Sequence, residues 1–447
     1  MHEDALPRAA RRTVAALRRT PRSHRRLAFL AAVSLFEAAA AVPAYAADAA
    51  SPLTYQQAAW DGGCRPDVVL TPGPGRATAP GVKVRTWDGV QPDGMPVRLT
   101  VAALDLTRVR LAAQAQPLGS LTRLSQVAAG LPQALMLANG GYFDNRSSVG
   151  PTGHLPVGPE VVGGRARTLH PRATAYAGVD ERGRVHAGVL RAGGTALVLP
   201  RGADDDVEVG RPGLRHARRT GEPVRPEAGG QLLTVAAVNP PHLPARGVVA
   251  LTADWAGQRP DGDWDVLVQD GRVVYSGAAA PLAEHRGATL LTARGADAER
   301  LSRIRGGQYV RLQLGARDGH WAITEALGRG EQVVTAGRIS TDCGPVTEQV
   351  RPRTVLGWSA DGRTAYLVSV SAGRRDVYSQ YGRAGGATFR QTAAMLVQAG
   401  VEDAVMLDGG GSSELVARTP GEAWQRLDLP DGARERPVAN AWAVLPR

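Results

Sequence analysis

Val405-Met406-Leu407-Asp408-Gly409-Gly410-Gly411-Ser412-Ser413-Glu414-Leu415-Val416 sets two short apolar runs around a carboxylate, three glycines and two hydroxyls. The runs read as buried strands. Glycines leave no Cβ between backbone and ligand, so main-chain N–H groups can approach an anion or a sugar closely. Asp408 falls at the exit of a strand, where a rigid scaffold commonly presents chemistry. A Gly-rich hairpin with polar decoration is the plainer reading. A Walker loop is excluded, because no Lys follows the glycines.

A second stretch upstream has the same design. Leu137-Ala138-Asn139-Gly140-Gly141-Tyr142-Phe143-Asp144 places an amide, two glycines, two aromatics and a carboxylate after an apolar run. Arg351-Pro352-Arg353-Thr354-Val355-Leu356-Gly357 is a basic turn feeding an apolar strand, and Arg436-Pro437-Val438-Ala439-Asn440-Ala441-Trp442-Ala443-Val444 closes the chain. In this order the four pieces resemble the phosphodiester glycosidase family, over most of the chain from about Gly81 onward. Tyr142-Phe143 stands where the family frequently has two phenylalanines. The resemblance implies hydrolysis of a glycosyl phosphodiester, a sugar-1-phosphate linkage, in a glycan or wall polymer. It weights Asp408, Arg353 and Asn139 above the other candidates.

The residue chemistry agrees with that expectation. If the three loops converge, they bring together the carboxylates Asp144 and Asp408, the Arg353 guanidinium, the Asn139 amide and the hydroxyls of Thr354, Ser412 and Ser413. Arginine makes bidentate charge-assisted bonds to phosphate oxygens. The N–H groups of Gly140, Gly141, Gly409, Gly410 and Gly411 would add to it. A carboxylate, Asp408 first and Asp144 second, would act at the anomeric carbon. Plainer roles stay open. Asp144 could cap a turn, Arg353 could lie at the surface, and Ser412 and Ser413 could bond only to backbone. Glu414 is a reserve acid. His154 and Glu160 could reach the pocket rim. No cofactor is required, and a divalent cation on Asp144 or Asp408 is admitted. The alternative function is a non-catalytic extracellular module that binds glycans or phosphate polymers.

Among the remaining histidines, none pairs at metal-ligand spacing on a helix, and no Gly-x-Ser-x-Gly elbow is present. The chain has 447 residues, with 43% hydrophobic and 21% charged residues, ordinary for a globular protein. Its formal net charge is +11, but residues 1–46 hold eight Arg against Glu3, Asp4 and Glu37. The remainder has Lys83 as its single lysine and no dense basic run interleaved with aromatics, which argues against nucleic acid as a partner.

Residues 1–46 read as an export signal: a basic n-region, the apolar run Leu27 to Phe36, and Ala44-Tyr45-Ala46 as a cleavage site. Arg25-Arg26-Leu27 also fits a twin-arginine signal, so either export route is open. The expected location is secreted or extracytoplasmic, with no membrane span after cleavage. Cys64 and Cys343 would then form one disulfide. Residues 47–80 read as a linker-like extension with a short helix over Thr54 to Ala59. Residues 81–447 read as the family-like domain, with an insertion near 201–230. Asp204-Asp205-Asp206 within it lacks the ligand spacing of a calcium loop and reads as a solvated turn. The oligomeric state is not legible.

The expected fold class is α+β, with mixed, strand-rich sheets and a few packed helices. Strands are expected over Val82 to Trp87, Pro96 to Asp105, Arg108 to Ala115, Val248 to Leu251 and several shorter runs. Asp270-Gly271 should make a hairpin turn. Thr388 to Ala399 is the clearest helix, capped by Thr388 and stopped by Gly400.

Overall fold

Strict alternation of apolar side chains lets two sheets each bury both faces. In the strand Arg353–Trp358, Leu356 and Trp358 join one core and Val355 another. In Met136–Asn139, Met136 and Ala138 join that first core, and Leu137 points the opposite way. The same period of two runs through Thr364–Ser371, Asp403–Met406 and Asn440–Pro446. The shared core lies between an eight-stranded sheet and a five-stranded sheet. The outer face of the first is covered by the helix Phe389–Gln398, and that of the second by Leu124–Gly130. The result is a helix–sheet–sheet–helix sandwich.

This architecture is that of a computed structural model. It describes residues 68–91, 94–144, 153–171, 174–192, 194–200, 230–240, 242–252, 255, 261–281, 287–318, 321–342, 344, 347, 349–372, 385–428 and 435–447. The segment 1–46 read as an export signal, the helix expected at Thr54 to Ala59, both cysteines and almost all of the insertion expected near 201–230, with its three aspartates, lie outside these residues.

Between the sandwich segments the chain builds two further units. A six-stranded sheet is formed by Glu160–Val162, Arg165–Thr168, Thr174–Asp180, Val185–Ala192, Ala316–Asp318 and Trp321–Gly328. A closed barrel is formed by Gly194–Leu199, Gln231–Val238, Val248–Leu251, Trp264–Gln269, Arg272–Gly277, Thr289–Ala293 and Tyr309–Gln313. Barrel and sheet share one apolar core, from Val235 and Leu291 on one side to Tyr176 and Ala326 on the other.

Most expected elements are present. Pro96–Asp105 and Val248–Leu251 have the expected bounds. Asp270 and Gly271 both have positive φ, 49° and 77°, as a two-residue hairpin turn needs. The strand-rich α+β reading therefore holds in outline, with a closed barrel that the pattern of runs did not foretell. One expectation needs correction: part of the linker-like extension, Val69–Ala79, is a strand. It pairs with Val82–Val90 at the sheet edge, with register shifts between Pro72 and Gly75 and between Ala77 and Ala79. An edge strand tolerates Pro and Gly because its outer side has no ladder to complete. Those residues had made it read as a linker. Among the described residues, no helix is long and apolar enough to cross a membrane.

Candidate active site

The site lies where the chain crosses between the sandwich sheets. Strand Asp403–Met406 ends in the eight-stranded sheet, and Leu415–Ala417 begins in the five-stranded one. Asp408 and the three glycines occupy the crossing, with a 3-10 turn over Gly410–Ser412. Val355 pairs with Met406, which sets Arg353 and Thr354 beside the crossing, and Ala138 pairs with Leu415, which does the same for Asn139.

Asn139 is the splice. Its side chain is fully buried. Its Nδ2 donates to the Asp408 carbonyl at 2.7 Å, and its Oδ1 accepts from Thr354 Oγ1 at 2.6 Å and from the Glu414 N–H at 3.0 Å. The Asp408 N–H donates to the Gly140 carbonyl, and the Leu407 N–H to that of Thr354. Convergence of the three loops is thus direct. Asn139 and Thr354, read as ligand contacts, spend their polar groups on holding the loops together.

The glycines likewise differ from expectation. The N–H of Gly140 donates to the Asn440 carbonyl, Gly141 to Asn440 Oδ1, Gly409 to Asp408 Oδ1 and Gly410 to the Pro352 carbonyl. These four donors serve the fold rather than an anion. The glycines are needed for closeness: a Cβ on Gly140 would collide with Asn440 Oδ1, and one on Gly141 with the Gly328 carbonyl. Ser412 and Ser413 are buried, and their hydroxyls have no hydrogen-bond partner among the described residues. Asp144 sits two residues past Tyr142, its backbone fixed by Leu155 and His154. His154 is itself at φ 67°.

Arg353 is the electrostatic anomaly. Strand alternation sends it to the helix side of the sheet, where it is 6% exposed and stacks 4.5 Å from the Phe389 ring centroid. Its Nε donates to the Ala387 carbonyl at 2.9 Å, and its Nη2 to that of Gln349. Nη1 lies 3.8 Å from where a Cβ on Gly409 would stand. Among the described residues no carboxylate forms an ion pair with Arg353. Burial pulls its pKa down to about 10, opposed by Tyr142 and assisted by the neighbouring Arg351. A buried guanidinium without a counter-charge is costly unless something else supplies the anion.

Sequence reading missed four contributors. Arg351 and Arg436 flank Gly410 and Gly411. Tyr142 lies over Gly330 and acts on Arg353. Asn440 holds Gly141 and donates to Glu160 Oε1 at 2.6 Å. Glu160, expected only at a rim, is 1% exposed, and burial raises its pKa to about 7. The reserve acid Glu414 is also raised by burial to about 7, against the pull of Arg426 3.8 Å away. Both arginines and Asn440 lay within quoted motifs, but nothing in their spacing separates a site residue from a strand-flanking one. Among the described residues no group of three or more His, Cys, Asp or Glu is arranged for a metal ion.

Such a constellation, an arginine buried without an ion-pair partner among the described residues beside a carboxylate on a glycine turn, suits a phosphorylated sugar. Residues 245–445 match the phosphodiester glycosidase family. The phosphodiester glycosidase match starts within the barrel and takes in Arg351, Arg353, Asp408, Arg436 and Asn440. Asn139 and Glu160 lie outside it. Two solved structures share the fold. A hypothetical protein from Synechocystis has a TM-score of 0.55 and 18% identity, over 85% of this chain and 68% of that one. A protein from Burkholderia pseudomallei has a TM-score of 0.52 and 22% identity, over 79% and 74%. The catalytic domain of zebrafish N-acetylglucosamine-1-phosphodiester alpha-N-acetylglucosaminidase aligns only loosely, at a TM-score of 0.40 and 13% identity, over 85% and 88%. No curated protein matches the chain.

Proposed function

We propose that this protein hydrolyses a glycosyl phosphodiester, releasing a sugar from its 1-phosphate linkage in a glycan or wall polymer. The observation that carries the reading is Arg353, a buried guanidinium with no carboxylate partner among the described residues and with Nη1 close to the turn that bears Asp408. A phosphate oxygen would supply the missing counter-charge through a short charge-assisted bond. Asp408 then stands beside the bound phosphate, with Oδ1 held by the Gly409 N–H at 3.0 Å. In this reading the bond between C1 and the bridging oxygen breaks, and its electron pair stays on the phosphate. Water adds to C1 and gives a proton to Asp408, which also stabilises the positive charge growing at C1. Phosphate is a good leaving group, so a strong acid on the other side of the bond is less necessary. The sequence of residues 1–46, read as an export signal, supports a polymer outside the cytoplasm.

The test is product release from sugar-1-phosphodiesters by the parent protein and by Asp408→Asn. The variant should lose at least about a hundredfold in kcat, within the range for general acid–base groups, while still binding ligand. A parent that binds such diesters and never cleaves them would establish the rival reading, a glycan-phosphate binding module.

A further inference from the structure

A line of hydrogen bonds runs from the six-stranded sheet to the Asp408 turn. Glu160 Oε1 accepts from Asn440 Nδ2 at 2.6 Å. Asn440 Oδ1 accepts the Gly141 N–H at 2.7 Å, and the Asn440 carbonyl accepts the Gly140 N–H at 3.0 Å. The Gly140 carbonyl in turn accepts the Asp408 N–H at 3.0 Å. Glu160 and Asn440 belong to different sheets, and both are buried. Bare backbone brings the two units this close. Gly158, two residues before Glu160, packs on the backbone of Gly328, and the Gly328 carbonyl lies against Gly141, so a Cβ on any of the three would collide.

A side-chain amide has a donor end and an acceptor end, and only one orientation of Asn440 serves both neighbours. With Oδ1 toward Gly141 every group in the line is paired. Turned over, the Asn440 NH2 would face the Gly141 N–H, donor against donor. Glu160 supplies the acceptor that holds the Nδ2 end in place. We infer that Glu160 is a positioning residue for Asp408, acting through the Asn440 amide and the Gly140–Gly141 backbone. Asn139 holds the Asp408 carbonyl and this line holds its N–H, so the residue is fixed at both ends. Glu160 itself is too deeply buried to touch substrate. Reacting groups need to stay within about 0.5 Å of their productive geometry. A misplacement of about 1 Å caused by a distant change can cost on the order of a hundredfold in rate. The effect on rate rests on the proposed hydrolysis, whereas the link from Glu160 to Asp408 is a property of the fold and can be measured without turnover.

Glu160→Met keeps length and bulk and removes the acceptor, while Glu160→Gln keeps an oxygen for Asn440 Nδ2. In hydrolysis of sugar-1-phosphodiesters by the full protein, Glu160→Met should lower kcat at least about tenfold and leave KM within about twofold. Glu160→Gln should keep kcat within about threefold of the parent. Glu325→Met controls for lost stability. Glu325 belongs to the same sheet and accepts the Ala113 and Gly163 N–H groups, which are not part of the line to Asp408. Its substitution should leave kcat within about twofold. Amide hydrogen exchange reads the link directly. The Gly141 and Asp408 amides should exchange at least about tenfold faster in Glu160→Met than in Glu160→Gln, with the helix Phe389–Gln398 equal in the two. If Glu160→Met does not fold, Glu160→Ala, which cannot overfill the site, is held to the same outcomes. Unchanged exchange at these two amides, a parental kcat in Glu160→Met, an equal fall in Glu325→Met, or no rescue by glutamine overturns the inference. A parent that cleaves no sugar-1-phosphodiester while the amides exchange as stated overturns the hydrolase reading and leaves the link from Glu160 to Asp408 standing.

Discussion

Removing the Asn139 amide strands three partners at once. The Asp408 carbonyl, the Thr354 hydroxyl and the Glu414 N–H all turn to this one buried side chain. A buried polar group left without a partner costs about 1–3 kcal/mol. Asn139→Ala is therefore expected to lower stability by roughly 3 kcal/mol or more, measured as the urea midpoint, and to lower any hydrolysis because Asp408 loses its anchor. A loss below 1 kcal/mol would mean that the loops hold together without it. The sequence pointed to Asn139, Arg353 and Asp408 because each ends an apolar run, and strand ends are visible in a one-dimensional pattern. Their roles were less visible. Whether an amide faces ligand or backbone depends on partners hundreds of residues away, as with Asn139 and Asp408. Arg351 and Arg436 were unreadable for the same reason: their place beside Gly410 and Gly411 comes from tertiary packing, and a chain rich in arginine gives no local contrast.

At the level of elements, the helix Phe389–Gln398 ties local sequence to site geometry. Thr388 Oγ1 accepts from the Gln391 N–H at 3.1 Å, and Gln391 Oε1 accepts from the Thr388 N–H at 2.9 Å, a complete capping box. The residues on either side of Thr388 are the ones that seat Arg353: Ala387 accepts its Nε, and Phe389 stacks beneath it. Ala387 also exchanges backbone bonds with Arg351. Gly386, at φ 135°, allows that approach, because a Cβ there would meet the Arg351 carbonyl. Thr388→Ala should cost about 1 kcal/mol of stability. If the cap also sets the arginines, it should weaken phosphate binding by more than an equally destabilising change in the distant helix Gly295–Leu301. Equal effects on binding would confine the cap to stability. The helix, its cap and its Gly400 stop were legible because all three signals are local. The edge strand Val69–Ala79 was not, because its Pro and Gly content resembles a linker until a neighbouring strand is in place. Closure of the barrel depends on pairing Gly194–Leu199 with Tyr309–Gln313, more than a hundred residues apart, which no local pattern encodes.

The whole molecule stores a pH dependence in its buried glutamates. Glu160, Glu325 and Glu414 all have pKa values raised by burial to about 7, from 4.5. They sit in different places: Glu160 joins the six-stranded sheet to the Asn440 strand, Glu325 accepts the N–H groups of Ala113 and Gly163, and Glu414 follows the glycine turn. In each the folded protein keeps its proton while the unfolded chain gives it up. Below the unfolded value both states are protonated and no stability is lost. As pH rises from about 4.5 to about 7 the unfolded chain ionises first, so stability falls, and above that window the loss is complete. For Glu160, whose carboxyl is almost wholly buried, the gap corresponds to roughly 3 kcal/mol. Asp105 and Asp361 run the opposite way, with pKa values lowered chiefly by hydrogen bonds from Thr107 and Arg363. Their stabilisation is present above the ordinary aspartate range and is lost in more acid solution, outside this window. His170 and His186, with pKa values lowered chiefly by burial, oppose the glutamates inside the window, because the unfolded chain takes up protons below about 6.5 that the fold refuses. The three glutamates outnumber them, and chemical unfolding should show greater stability near pH 5 than near pH 8. Glu160→Gln keeps an oxygen to accept from Asn440 and removes the ionisation, so it should flatten the slope and be more stable than the parent at pH 8. A glutamine variant with an unchanged slope would show that Glu160 is ionised in the folded protein, with Arg167 supplying the charge that burial withholds.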